Sequence, residues 1–316
     1  MRSFIVLIGC CIALQGVCQQ DSTAILTPSS EKKKEEKEPA RIFMSTKTIN
    51  ANTVNMIGRG ILEFKVVHNF GDLAGSGGGV KNFFGIDNAQ DIRIGFQYGL
   101  SKRVNLIASR YKGATQVQRL YELGFKWLVA EQREKDPSHP LSIALFANAA
   151  VATMKAGTNP TQENYVHGFS ERLSNTFQLM IAKKMGWLSL ELNPTIVTRG
   201  YALSYDEKTL FALGGAARIH LGGPYSLLLD ISHTFRSKSS IDSFKVRNIR
   251  FYDAIGVGLE ILTAGHVFHI NFTNATDILE NRYIPRTTST WTKGQFRWGF
   301  TVARDFDLLW KKRRNK

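Results

Sequence analysis

The side chains best suited to chemistry in this sequence are charged groups that recur at alternate positions between apolar ones. Glu63, Lys65, Asp91, Arg93, Glu122, Lys126, Glu191, Arg218, His220, Asp230, Glu260 and Arg297 all fall on the polar side of such runs. Carboxylates, amines and guanidinium groups gathered on one enclosed surface can do either of two things. They can line a water-filled passage and set its ion preference, or pair with one another and fill the interior. His220 has Arg218 and neighbouring lumen carboxylates within its possible reach, and is expected to be a hydrogen-bonded lumen histidine. Other candidate chemistry falls away on spacing. His266 and His269, three residues apart on an extended segment, point to opposite faces and cannot chelate one ion. The loop Gly75-Ser76-Gly77-Gly78-Gly79-Val80-Lys81 has glycines and a lysine, without the following Ser or Thr and the strand-to-helix setting of a phosphate cradle. No Ser/His/Asp spacing specific to a hydrolase occurs. The expectation is a protein with no cofactor, no metal and no catalytic residues.

The elements that position these charges have a period of two. Ile92, Ile94, Phe96 and Tyr98 alternate with Asp91, Arg93, Gly95, Gln97 and Gly99. In a strand this puts every apolar group on one surface and every polar or tiny group on the other, whereas a helix would scatter both sets. The pattern recurs through Leu62–Val67, Tyr121–Val129, Leu173–Ile181, Leu188–Asn193, Phe211–Leu221, Ser226–Ser232, Ile255–Ile261, Phe268–Thr273 and Phe296–Val302. With weaker segments at 104–110 and 141–153, about twelve strands are predicted. Short turns at 101–103, 183–186, 222–224 and 263–265 interleave with long joins at 71–90, 155–169, 199–208, 236–250 and 274–294. Joins 112–116 and 131–140 break the alternation, one too short and one too long. Transmembrane barrels put short turns on the periplasmic side and long loops outside.

Bulk properties agree with that reading. The 316 residues are 43% hydrophobic, and the mean hydropathy of −0.16 suits a barrel, in which only alternate strand residues meet lipid. After the first twenty residues no apolar run is long enough for a spanning helix. The net charge of +15 is dispersed apart from the terminal Lys311-Lys312-Arg313-Arg314 cluster, and no nucleic-acid-binding signature accompanies it, so nucleic acid is not an expected partner. All three cysteines, Cys10, Cys11 and Cys18, lie in a segment that reads as a cleaved signal peptide, residues 1–18. Residues 19–44, with the run Glu31-Lys32-Lys33-Lys34-Glu35-Glu36-Lys37-Glu38, read as a disordered periplasmic linker. A barrel follows over 45–310, then a basic tail over 311–316. The glycine-rich polar face, an apolar face continuous in nearly every strand and aromatics near strand ends (Tyr98, Trp187, Tyr225, Phe235, Phe296) favour lipid outside and charge inside.

Several motifs carry a resemblance. Ile61-Leu62-Glu63-Phe64-Lys65-Val66-Val67-His68-Asn69-Phe70-Gly71, then Asn82-Phe83-Phe84-Gly85-Ile86-Asp87-Asn88-Ala89 and Asp91-Ile92-Arg93, resemble the opening of a Bacteroidota outer-membrane β-barrel family known as a domain of unknown function. Tyr98-Gly99-Leu100-Ser101 with Arg103 is similar to its first periplasmic turn. Gly265-His266-Val267-Phe268, Phe272-Thr273-Asn274 and Phe296-Arg297-Trp298-Gly299-Phe300 with Arg304 resemble its closing strands. Asn69 departs from the pattern, standing where a basic residue is expected. The likeness runs from about residue 45 to 306. It implies fold and location, and transfers no activity.

The sequence therefore predicts an all-β protein, a closed antiparallel transmembrane β-barrel in the bacterial outer membrane. Its expected partners are outer-membrane lipid and either small solutes or periplasmic proteins. The first functional expectation is a small-solute channel or transporter. The alternative is a non-catalytic structural or partner-binding barrel with a plugged lumen, and a lipid-modifying enzyme comes third.

Overall fold

The computed structural model describes residues 37–88 and 91–309. The expected leader, most of the linker, and the basic tail lie outside these residues. Twelve antiparallel strands form one closed barrel in sequence order. They are β1 (Ile61–Asp72), β2 (Asp91–Gly99), β3 (Val104–Lys112), β4 (Arg119–Ala130), β5 (Ser142–Ala152), β6 (Leu173–Met185), β7 (Leu188–Arg199), β8 (Thr209–Gly222), β9 (Tyr225–Phe235), β10 (Ala254–Leu262), β11 (His266–Thr273) and β12 (Arg297–Asp307). The seam pairs β1 with β12 in the register Val66↔Val302. Closure leaves no strand edge, so each strand is paired on both sides within the sheet.

The alternation read from the sequence is the alternation of burial. In β2, Asp91, Arg93, Gly95, Gln97 and Gly99 are buried in the interior while Ile94 and Phe96 are exposed on the outer face. Leu123, Phe125 and Trp127 of β4 and Phe211 and Leu213 of β8 are likewise exposed. This is an apolar exterior around a polar interior, the inverse of a soluble β-protein. No described helix is long and apolar enough to cross a membrane.

Three short helices lie in connections at the long-loop end: α1 (Phe169–Arg172), α2 (Lys238–Val246) and α3 (Glu280–Arg286). α2 starts at a capped turn, where the Ser237 side chain accepts from the Ser240 amide. Both chain termini of the barrel lie with the β2–β3, β6–β7, β8–β9 and β10–β11 turns at the opposite, short-turn end.

The interior differs from an open pore. Residues 40–57, which precede β1, lie inside the barrel and nearly all are buried. This corrects the linker boundary: residues 40–44 belong to the packed interior, with Ala40, Ile42 and Phe43 buried, because Ile42 and Phe43 gain an apolar surface there. From the other end, residues 274–287, including all of α3, fold down into the barrel mouth.

Candidate functional site

The inserted segment is a tight hairpin. The Ala40 amide donates to the Gln132 carbonyl (2.8 Å) at the short-turn end, where the chain passes inside. The two legs meet where the Thr53 amide donates to the Thr46 carbonyl (3.1 Å) and the Thr48 amide to the Ala51 carbonyl (2.9 Å), with Lys47 bridged to Asn52 between them. The return leg leaves at Gly58–Gly60, and the Gly60 amide donates to the Gly99 carbonyl (2.7 Å) before β1 begins. A short turn rich in Thr and Asn suits this path, because their side chains bond neighbouring backbone.

The wall charges inferred from sequence are the groups that hold this plug. At the tip, the amides of Ile49 (3.0 Å), Asn50 (2.7 Å) and Ala51 (3.3 Å) and the Thr48 hydroxyl (2.6 Å) all donate to one oxygen of Asp230. The Asn50 side-chain amide donates to the other oxygen (2.8 Å). Successive backbone N–H groups turned toward one carboxylate make an anion-binding concavity. Lys126 does the converse, its ammonium donating to the carbonyls of Thr46 (3.2 Å), Thr53 (2.7 Å) and Asn55 (3.3 Å). Glu191 accepts from the Val54 amide (2.8 Å), and Glu63 accepts from the Thr46 hydroxyl (2.8 Å) while lying 3.1 Å from Lys65. Asn105 grips Ile57 twice, accepting from its amide (2.8 Å) and donating to its carbonyl (2.9 Å).

Other residues of the predicted set pair within the wall. Arg93 meets Glu122 at 2.7 Å, Arg218 meets Glu260 at 2.7 Å, and Arg297 meets Asp91 at 2.7 Å. His220 does not join them. It sits near the short-turn end of β8, exposed, with its backbone amide donating to the Trp187 carbonyl (2.9 Å). Strand parity points it inward, but the strand has by then run past the packed interior. The buried histidine is His269, whose Nε2 lies 3.5 Å from Glu260. Among the described residues, no three His, Cys, Asp or Glu side chains form a group able to hold a metal.

Polar contacts are half of the plug's seat. Ala40, Ile42, Phe43, Ala51 and Val54 pack against wall residues that point inward yet are apolar: Ile107, Leu128, Ala144, Phe146, Met180, Ala182 and Ala216. Gly256 completes the fit. A Cβ there would stand 2.5 Å from Asp230 Oδ1 and 2.8 Å from both Asn50 Nδ2 and Ile49 Cβ, so only glycine lets the tip approach β10.

The cap at the long-loop end has a different chemistry. Glu163, on the β5–β6 connection, sits 2.9 Å from both Arg282 and Arg286. Burial alone would raise its carboxyl, but the two guanidinium groups outweigh that and hold it at about 2. Asp206 bridges Arg199 (2.9 Å) and Arg236, and Tyr111 donates to Asp277 (2.5 Å). Asn281 donates to Asn148 (3.1 Å) and to the Ser174 carbonyl (3.0 Å). Plug and cap touch through one buried ion pair, Lys47 with Glu280.

Sequence reading missed the plug and its partners Asn105, Gln178, Asn193 and Glu280. The usable signals were the apolar Ile42-Phe43 pair just after the charged run, and large apolar residues at positions whose parity should be polar.

Residues 43–306 match the family model described as membrane bound beta barrel domain (DUF5777). No curated protein matches the sequence. Among solved structures, the NanC porin is 7% identical with a TM-score of 0.46, covering 77% of this chain and 98% of that one. An outer membrane channel from Pseudomonas putida F1 is 11% identical with a TM-score of 0.45, covering 80% and 97%. Outer membrane phospholipase A from Escherichia coli is 14% identical with a TM-score of 0.39, covering 83% and 98%.

Proposed function

The chain belongs to the family of membrane-bound β-barrel domains DUF5777, and on that premise we propose that it is an outer-membrane barrel closed at rest, with no catalytic role. Residues 40–57 are its resident plug. Short turns and the plug then face the periplasm, and the long loops face outward. The observation that carries this reading is the inward-facing apolar patch of Ile107, Leu128, Phe146 and Met180, matched to Ile42, Phe43 and Val54 of the plug. In a water-filled pore those wall residues would face water, forfeiting about 1.5–3 kcal/mol for each large side chain. A dry seat of this kind suits a segment that stays in place. The small-solute channel then becomes a state reached only when the plug leaves, and the plug's periplasmic approach is the route by which a partner could act on it.

Planar-bilayer recording tests this. The full chain should insert without steady conductance, and a variant lacking residues 40–57 should give steps of a water-filled barrel. Steady conductance from the unaltered protein would defeat the closed-state reading.

A further inference from the structure

We infer that the groove between α2 and the outer end of β9 binds a lipid of the surrounding leaflet with a net anionic phosphate headgroup, acyl chain inward and phosphate at the rim. This goes beyond the plug and does not depend on it. β9 turns His233 and Phe235 to the outer face, where they contact edge-on at 4.9 Å, so the groove opens on the apolar wall at its long-loop edge. The β9–β10 connection rises from there, and α2 and the segment after it enclose a cavity of about 350 Å³. Ile241, Ile249, Phe251 and Ile284 supply its apolar lining, and Ile241 stays 47% exposed.

The rim supplies the charge. Residues 236–253 carry five cationic side chains against two carboxylates, Asp242 and Asp253. Several are already engaged. Arg236 is paired with Asp206 and stacks over Phe251 at 4.0 Å, and Arg247 stacks over Tyr205 at 3.9 Å. Asp253 is held by His233 at 2.8 Å. Lys245 and Arg250 line the cavity, and neither side chain has an ion pair or hydrogen bond among the described residues. Two unengaged cations above an apolar cleft at the membrane edge complement a group that is anionic at one end and greasy at the other. Phosphate oxygens accept charge-assisted hydrogen bonds from both cation types, and an acyl chain covers Ile241 and Ile249. Soluble anions would leave the apolar lining wet, and zwitterionic lipid would bring its own cation to the rim.

Native mass spectrometry of the full chain in detergent, titrated with phosphatidylglycerol or phosphatidylcholine, tests the site. One phosphatidylglycerol per barrel should be retained in preference to phosphatidylcholine. The exposed pair K245E/R250E should lower that retention at least tenfold, and K102E at the opposite end should leave it unchanged. A milder pair, K245Q/R250Q, gives the same reading if charge reversal disturbs assembly. Equal retention of both lipids, an equal loss in K102E, or displacement of lipid by inorganic phosphate alone would overturn the proposal.

Discussion

Inside the barrel, the wall meets the plug's backbone: one carboxylate gathers three amides, and one ammonium gathers three carbonyls. At the long-loop end, residues 274–287 are held chiefly through charged side chains, arginines clasping Glu163 and a tyrosine on Asp277, with Thr234 and Arg236 donating to the carbonyls of Ile284 and Pro285. The difference has consequences. Backbone capture by Asp230 and Lys126 depends on the hairpin's shape and involves no salt partner on the plug, so ionic strength has little to screen. The cap is a network of paired charges whose strength follows the ionisation of one carboxylate. Locking the lower segment and leaving the upper one sensitive to conditions is an arrangement in which the two ends can open separately.

The sharpest way to break the comparison is Asp230→Ala. It removes five hydrogen bonds and leaves the amides of Ile49, Asn50 and Ala51 buried without an acceptor. At about 1–3 kcal/mol for each unsatisfied group, the plug tip should lose on the order of 5 kcal/mol. Hydrogen exchange of the 48–51 amides should speed up about a thousandfold, since about 1.4 kcal/mol is tenfold. Exchange in α3 should change far less. Equal acceleration at both ends would show that plug and cap form a single cooperative unit.

The Lys47–Glu280 pair is where the two halves meet, and removing one partner comes next in size. Lys47→Met leaves Glu280 buried and uncompensated, which costs about 3–5 kcal/mol. Adding Glu280→Met should restore most of the loss, because an apolar pair of similar volume fits a dry site. Thermal unfolding of single and double variants measures the coupling. Additive losses would mean the pair does not join the ends.

How far the sequence revealed this arrangement follows from which contacts are local. Strand alternation is local, and it placed Glu63, Lys126, Glu191 and Asp230 on the inner surface from parity alone. The plug has no period, and its decisive contact joins Asn50 to Asp230, 180 positions away. Its trace in the sequence was indirect. The segments with the poorest alternation, 104–110 and 141–153, became β3 and β5, and they carry the inward Ile107, Ala144 and Phe146. Their patterns are blurred because both faces are apolar, one toward the exterior and one toward the plug. A weak β-pattern was therefore a signature of filling. His220 shows the opposite limit, since parity gives a direction but not where along the strand the packed interior ends.

Acid should loosen the cap, with the smallest of these effects. Glu163 is held at about 2 in the folded protein, below its ordinary 4.5, so its ionised form favours the folded cap. That contribution is fully present above about 4.5 and is lost progressively as pH falls toward about 2. A shift of this size corresponds to about 3 kcal/mol. Between those limits the 280–287 amides should gain exchange relative to their intrinsic rates. Glu163→Gln should loosen the cap at neutral pH and flatten this acid response, because the titrating group is gone. An unchanged acid response in Glu163→Gln would separate the charge network from the one glutamate on which it has been centred.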